Sequence, residues 1–437
     1  MKKLSIIAWA VLAVTLWACS KSESTVDPDT AWAFDETLPV PIQLGGGDGF
    51  SVYTKAIEGK ILSLENKEIR VSAIDLHLGV DPDAQGWSDE LGYCTGITTA
   101  PLAADDIYLD AVRAKVNNEG YVKFLSGSSG STEMKRYYPF SETKKVKDGD
   151  DVKYMHMGNN YSFIAYYTPA ITQAPVIENG RMLKKFRMLT NNDAYNLDIL
   201  WARVDAKPGL VPDETQLAPD DPANDGFLRG FNARYQRHFA KLNGGVLSPE
   251  DTPELKFQHA ASMIHIFVRA ESPEAEASFS GNLSVTNMKL NTKFNYLALD
   301  LISGELIADP SPAGNQSIVL DYNPKSTTIH PVYGDGEEYN DGFFVMPGAR
   351  SETEKVSVTF DIIVSGGTTT TKTVDLPLPT YEDEVTATDL NGYEAGVEYN
   401  YYISIESIEE IYLKTSLLSW DSTSGAEQLG DQTITFE

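Results

Sequence analysis

The strongest constraint on the fold is an alternation of apolar and polar side chains along several short segments. Successive side chains of a β-strand point to opposite faces of the sheet, so a period of two places the apolar residues on one face. The most regular runs are Val356, Val358, Phe360, Ile362 and Val364, and Val397, Tyr399, Tyr401, Ile403 and Ile405. We predict that each run is a strand with one buried face.

Clusters of Gly, Pro, Asn and Asp separate these and other short apolar segments, with little helical periodicity between them. This arrangement favours an all-β protein made of sandwiches over a parallel α/β sheet. A chain of 437 residues is long enough to form two cores. The polar stretch from Glu271 to Glu276 indicates a boundary, so we predict an N-terminal domain over 38–272 and a C-terminal domain over 273–437.

One segment of the predicted first domain has a different period. Between positions 207 and 253, a Pro- and Asp-rich stretch precedes apolar residues at helical spacing: Phe227, Phe231, Tyr235, Phe239 and Leu242. The polar positions among them are basic: Arg229, Arg234, Arg237, His238 and Lys241. Two interpretations are open, a partner-binding amphipathic helix or an insertion packed on the first domain with a solvated face. Either way we expect a short helical insertion.

The N-terminal residues are typical of an exported lipoprotein. Two lysines precede an apolar run from Leu4 to Trp17, which is too short to span a bilayer. The run ends in LWAC (16–19), which matches a lipobox and predicts that Cys19 carries a lipid and becomes the mature N-terminus. We therefore expect a signal peptide over 1–18, a flexible polar tether over 19–37, and contact with the membrane through the lipid anchor only.

Charge and cysteine content exclude two classes of protein. The chain has 63 acidic and 35 basic residues and a formal charge of −28, so we expect no nucleic-acid partner. Apart from Cys19 the only cysteine is Cys94, and a lipidated Cys19 cannot pair with it, which excludes a disulfide framework.

No motif of the sequence points to catalysis or to a cofactor. The six histidines, His77, His156, His238, His259, His265 and His330, lack the spacing of known zinc sites. The segment GSSGS (127–131) differs from a serine-hydrolase elbow because its second Gly comes one position early. We therefore predict no catalytic residues, no metal site and no cofactor, and a protein that is not an enzyme.

Several segments, spread in order over most of residues 38–425, resemble the fimbrillin family of Bacteroidales surface proteins. They are PIQL (41–44), YTKA (53–56), YYP (137–139), SFIAYYTP (162–169), LDILWA (197–202), LKFQHAAS (255–262), AGVEYNY (395–401) and Trp420. Each also has a structural role in a sandwich, and we expect His259 and Ala260 to be core residues. The resemblance implies two transthyretin-like β-sandwich domains.

The resemblance also implies a function. Fimbrillins are structural or adhesive subunits of a cell-surface pilus, or accessory, tip or anchor subunits, and they assemble through strand exchange triggered by proteolysis. Carried over to this chain, cleavage between Lys55 and Ala56 would remove the N-terminal strand, and Thr433, Ile434, Thr435 and Phe436 would form the donor strand. The implied partners are other pilin subunits and a host or bacterial surface ligand, at the outer membrane surface and in the fimbrium.

Two observations leave alternatives open. Family members are typically cut after arginine, whereas this chain has Lys55, so the subunit either meets a lysine-accepting protease or keeps its lipid. A monomeric surface lipoprotein that binds glycans for nutrient capture is the alternative function, since the 22 tyrosines could supply exposed aromatic platforms.

Overall fold

The structure is a computed structural model. It describes residues 29–35, 37–45, 67–78, 83–97, 102–117, 121–127, 130–139, 144–148, 151–155, 160–168, 174–187, 199–206, 231–248, 251–293, 296–309, 318–320, 328–339, 342–349, 354–367, 369–378, 380–383, 388–408, 411–419 and 432–436.

Within these ranges the chain forms 27 strands and three α-helices. The strands are β1 Glu68–Ile74, β2 Trp87–Ser88, β3 Tyr93–Cys94, β4 Ile107–Val116, β5 Val122–Phe124, β6 Lys144–Asp148, β7 Asp151–Met155, β8 Ser162–Tyr167, β9 Val176–Glu178, β10 Arg181–Arg187, β11 Leu200–Val204, β12 Gln258–His259, β13 Ser262–Ala270, β14 Leu283–Thr292, β15 Tyr296–Asp300, β16 Leu306–Ala308, β17 Ile318–Leu320, β18 Glu337–Glu338, β19 Phe343–Val345, β20 Gly348–Ala349, β21 Ser357–Val364, β22 Thr369–Asp375, β23 Thr380–Asp383, β24 Thr388–Tyr393, β25 Val397–Ile405, β26 Ile411–Ser419 and β27 Gln432–Phe436. The helices are α1 Ala31–Phe34, α2 Ala233–Leu242 and α3 Pro273–Phe279, and Asp83–Gln85 and Ala104–Asp106 are short 3-10 turns.

The first large sheet has the strand order β12-β11-β8-β1-β4-β5. Its strands β8 and β11 are buried on both faces, and their side chains alternate between two hydrophobic clusters. In β8, Phe163 and Ala165 belong to the smaller cluster, whereas Ile164 and Tyr166 belong to the larger one. A strand that is covered on both sides needs apolar residues at every position, which explains the run SFIAYY.

The second large sheet has the order β18-β13-β25-β26-β27, with β19 also paired to β13. Strand β13 runs parallel to β25, from Met263 opposite Glu398 to Ala270 opposite Ile405. One face of this sheet shares the larger cluster with the four-stranded sheet β17-β14-β21-β22. The predicted all-β sandwich fold is confirmed, and both regular alternations lie on strands, β21 and β25.

Helix α2 provides the predicted helical insertion. Asn232 caps it, because its side chain accepts a hydrogen bond from the Tyr235 backbone N–H. Gln236 and Ala240 are fully buried, and Ala240 belongs to the smaller cluster. The helix thus packs on the first part of the chain, as in the second of the two interpretations. The residues before it, 207–230, lie outside the described ranges.

Strand pairing and side-chain contacts connect the two predicted domains. Strand β13 precedes the predicted boundary at residue 272 and pairs with strands that follow it, and β10 pairs with β15. The Trp201 indole donates to the Leu301 carbonyl at 3.0 Å, and the buried Arg203 guanidinium donates to the Ile302 carbonyl at 2.8 Å and to the Asp205 carboxylate. The boundary itself stays a prediction.

Candidate functional site: the groove of the N-terminal strand

An extended segment near the start of the described chain, residues 38–45, fills a groove in the first sandwich. Its burial alternates: Val40, Ile42 and Leu44 are 2%, 6% and 1% exposed, whereas Pro39 is exposed and Pro41 is half-buried. This is the pattern of a strand with one face on a core. Proline lacks the N–H that a central strand needs, so the two prolines restrict this segment to a sheet edge.

The segment pairs mainly with residues 136–138. The Ile42 N–H donates to the Arg136 carbonyl at 2.8 Å, and the Tyr138 N–H donates to the Val40 carbonyl at 2.9 Å. Pro41 lies opposite Tyr137 in this antiparallel pairing. Beyond it, the Val122 N–H donates to the Leu44 carbonyl at 3.2 Å and the Gly45 N–H donates to the Pro253 carbonyl at 2.8 Å. Main-chain hydrogen bonds therefore hold the segment along its whole length.

The apolar side chains of the segment contribute to the smaller core. Val40, Ile42 and Leu44 belong to the same cluster as Tyr138 and Phe163, whose rings lie 6.1 Å apart. Each buried aliphatic side chain stabilises the fold by about 1.5–3 kcal/mol, or about 5–9 kcal/mol for the three. Without the segment, the groove would expose an apolar floor and an unpaired strand edge.

Helix α2 holds the start of this segment. The Arg237 guanidinium donates to the Trp32 carbonyl at 3.0 Å and also to the Leu38 carbonyl. These two carbonyls lie within α1 and at the start of the groove segment, so one side chain fixes both. One of the two interpretations of this helix included a solvated basic face. For Arg237 the structure differs from it, because the guanidinium donates to backbone carbonyls.

Two polar contacts connect residues of the first sandwich. Glu68, the first residue of β1, accepts hydrogen bonds from Arg113 at 2.8 and 2.6 Å, and these bonds hold the pKa of the Glu68 carboxyl below its usual value. The Tyr108 hydroxyl donates to the Tyr137 carbonyl at 2.6 Å, and burial raises the pKa of Tyr108. Burial also raises the pKa of Tyr138, so its hydroxyl stays neutral at physiological pH.

The predicted site residues fall in different parts of the chain. Cys19, Lys55 and Ala56 lie outside the described residues; the last two belong to 46–66, which connects the groove segment to β1. Thr433, Ile434, Thr435 and Phe436 lie in β27, which forms the edge of its sheet next to β26. There Ile434 lies opposite Leu413, and Phe436 lies opposite Ile411.

The sequence did not predict one cluster of polar side chains around the buried His265. His265 Nδ1 lies 2.5 Å from Glu338 Oε1, and its Nε2 lies 3.5 Å from Glu398 Oε1. Burial raises the pKa of Glu398, an effect that the neighbouring His265 opposes. These residues meet only because β13 pairs with β18 and with β25, so no local pattern could have indicated the group. It joins strands of one sheet, and we assign it no chemistry.

Other residues that could carry chemistry, such as His259 and Cys94, are buried in the protein. His259 and Ala260 are buried, as predicted for core residues. Cys94 is a buried free thiol, and burial raises its pKa to about 12, which makes it a poor nucleophile. In the part of the chain that the structure describes, no group of three or more His, Cys, Asp or Glu side chains is placed to hold a metal ion. None of the described helices is long and apolar enough to span a membrane.

Comparison with known proteins gives matches among solved structures only. No protein-family model and no curated protein matches the sequence. A fimbrial protein from Bacteroides vulgatus matches with 14% identity and a TM-score of 0.45, over 87% of this chain and 99% of that chain. A candidate cell adhesion protein from Bacteroides uniformis matches with 12% identity and a TM-score of 0.42, over 87% and 98%. The tip fimbrial protein Mfa3 from Porphyromonas gingivalis, truncated at its C-terminus, matches with 9% identity and a TM-score of 0.35, over 87% and 100%.

Proposed function

We propose that this protein is a structural or adhesive subunit of a cell-surface pilus, or an accessory, tip or anchor subunit, and that it assembles by strand exchange after proteolysis. It is not an enzyme in this proposal. Its partners are other pilin subunits, with a host or bacterial surface ligand for an adhesive subunit. It resides at the outer membrane surface through a lipid on Cys19, and its two domains cover 38–272 and 273–437.

The observation that carries the proposal is the groove segment 38–45. It is an extended segment at a sheet edge with three buried side chains, and the chain between it and β1 contains Lys55. A cut after Lys55 leaves the segment held by noncovalent contacts alone. Its departure uncovers a groove that has a main-chain edge and apolar positions at every second residue, which is what strand addition requires.

The proposed donor is the strand β27. It occupies a sheet edge and pairs with one strand, β26, so it can leave without breaking an interior ladder. Ile434 and Phe436 fall two residues apart and share one face, as Val40, Ile42 and Leu44 do in the groove segment. A donor with this spacing can occupy two successive apolar positions of the groove in a neighbouring subunit.

Limited digestion with trypsin tests the proposal, with Lys55→Gln as the matched control. We expect the wild-type protein to acquire a new N-terminus at Ala56 and then to form multimers that resist heat in detergent. The Lys55→Gln protein should not acquire an N-terminus at Ala56. Because trypsin can also cut after Lys60 in the same connecting stretch, the double variant Lys55→Gln/Lys60→Gln is the one that should remain monomeric. N-terminal sequencing and denaturing gels read the two outcomes separately.

A deletion identifies the donor. Removal of residues 430–437 should abolish the multimers while the cut after Lys55 still occurs and the β circular dichroism signal persists. Cleaved wild-type protein that stays monomeric at high concentration would refute strand exchange for this subunit and would favour a lipid-anchored adhesin that is never processed.

A further inference from the structure

Three large apolar side chains lie exposed near the first described residue. Phe34 of α1 is 45% exposed, Leu242 at the end of α2 is 60% exposed, and Val246 just beyond α2 is 55% exposed. The buried side of both helices packs on the smaller core through Trp32 and Ala240. The three exposed side chains are not members of that core, and we call them together the apolar patch.

Two glycines bring the members of the patch together. Gly244 and Gly245 have φ values of +74° and +107°, a conformation that other residues rarely adopt, and they turn the chain sharply after α2. Gly245 lies against α1, since a Cβ added to it would be 3.0 Å from Phe34 Cε2 and 2.8 Å from Thr30 Cβ. Val246 directly follows Gly245, the residue that lies against the Phe34 ring.

The charge around the patch differs from that of the whole chain. Residues 29–35 and 231–248 contain three basic residues, Arg234, Arg237 and Lys241, and two acidic residues, Asp29 and Asp35, in a protein of net charge −28. The Asp35 carboxylate accepts hydrogen bonds from the Thr37 N–H and hydroxyl, and Asp29 pairs with Lys135 at 3.2 Å. Lys241 is exposed beside Leu242. An excess of acidic residues therefore does not repel an anionic surface here.

The tether limits how far this patch can be from the membrane. Asp29 follows Cys19 by ten residues. A chain of that length spans at most about 35 Å when fully extended, whatever its conformation. The patch begins five residues after Asp29, so it belongs to the part of the described chain nearest to the lipid anchor.

We propose that the apolar patch docks on the surface of the bilayer that holds the lipid of Cys19, and so fixes the orientation of the uncut protein. This inference rests on the lipidation of Cys19 in the proposed function. The apolar side chains enter the headgroup region, and Lys241 lies beside anionic headgroups. The tether makes docking intramolecular, so a weak intrinsic affinity suffices. A cut after Lys55 removes Phe34 together with the tether, and docking ends when the subunit is processed.

Chemical coupling to vesicles tests the docking. The chain from residue 19 onward is joined through the Cys19 thiol to a maleimide lipid in phosphatidylcholine vesicles with or without phosphatidylglycerol, and the buried Cys94 does not compete. Leu242→Trp reports insertion through quenching by brominated acyl chains. Val332→Trp is the matched control, because Val332 is 48% exposed and lies in the second half of the chain.

We expect brominated lipids to remove at least about half of the emission added by Leu242→Trp, since docked side chains reach about 5–10 Å into the interface. Val332→Trp should be unaffected, and Phe34→Ser in the Leu242→Trp background should reduce the quenching at least about two-fold. Equal quenching of the two tryptophan variants, or no effect of Phe34→Ser, would overturn the proposal. So would a concentration-dependent dimer of the uncoupled protein that shields Leu242→Trp, since a second copy would then cover the patch. Because the coupling is chemical, failure of cellular lipidation or of strand exchange leaves these results unchanged.

Discussion

Truncating Ile42 in the groove segment measures how firmly the protein holds its own strand. The Ile42 side chain is 6% exposed within the smaller cluster. Replacing a buried isoleucine by alanine costs about 2–5 kcal/mol, from lost transfer free energy and from the cavity left behind. In the uncut protein, Ile42→Ala should therefore lower the free energy of unfolding by this amount in urea titrations.

The same loss has a larger consequence after cleavage. Once the chain is cut after Lys55, the segment is held by noncovalent contacts, and a loss of about 2–5 kcal/mol weakens its binding about 30-fold to several thousand-fold. Native mass spectrometry of cleaved Ile42→Ala protein should show the N-terminal fragment leaving faster than from the wild type. Multimers should also appear sooner, because the groove becomes free earlier.

Gln43→Ala is the matched control, since its side chain lies between the buried positions and is half-buried on the other face of the segment. We expect it to change stability by less than about 0.5 kcal/mol. If Ile42→Ala and Gln43→Ala release the fragment at the same rate, the buried face of the segment does not control strand release, and the reasoning from alternating burial is wrong.

Three further predictions concern other parts of the protein. In urea titrations, Gly304→Ala should destabilise the protein by about 1–3 kcal/mol more than Gly281→Ala. A Cβ at Gly304 would lie 2.6 Å from the Trp201 ring, whereas a Cβ at Gly281, which has a similar positive φ, would meet open space. Burial lowers the pKa of Lys184 to about 8, so between pH 8 and 10.5 the unfolded state binds more protons than the folded state, and the free energy of unfolding rises with pH. This rise is at most about 3 kcal/mol, and Lys184→Met should remove it. At pH 7 the Lys184→Met protein should be more stable than the wild type. Cys19→Ser should release the protein into the soluble fraction or leave its signal peptide uncleaved, and unchanged membrane partitioning with normal processing would contradict lipidation.

Local patterns in the sequence were sufficient to predict many strands but not their neighbours. Val358, Phe360 and Ile362 alternate with polar residues because one face of β21 is buried, and that signal is present in a single strand. The parallel partner of β13 is β25, more than 120 residues away in the chain. Nothing in the sequence of either strand indicates a parallel pairing. The group around His265 depends on that pairing and was missed for the same reason.

In the candidate site, too, local structure was predictable from the sequence but contacts between distant residues were not. The extended segment at 41–44 was expected from the resemblance, and its alternating burial agrees with a strand on a core. The role of Arg237 could not be predicted, since the carbonyls of Trp32 and Leu38 are about 200 residues away in the chain. A basic residue on an amphipathic helix has the same local pattern whether it faces water or a distant backbone.

The parallel pairing of β13 with β25 determines how the second large sheet responds to mechanical load. If the protein is a pilus subunit, as proposed, tension along the fibre enters it near one end of the chain and leaves near the other. Strand β13 is the first strand of this sheet along the chain, and the residues from Met263 to Ala270 run in the same direction as their partners from Glu398 to Ile405. Pulling β13 from its N-terminal end and β25 from its C-terminal end loads all the hydrogen bonds between them together, in shear, whereas a hairpin pulled at its open end loses its bonds one at a time. The sheet that carries the proposed donor strand would therefore resist extension where β13 pairs with β25.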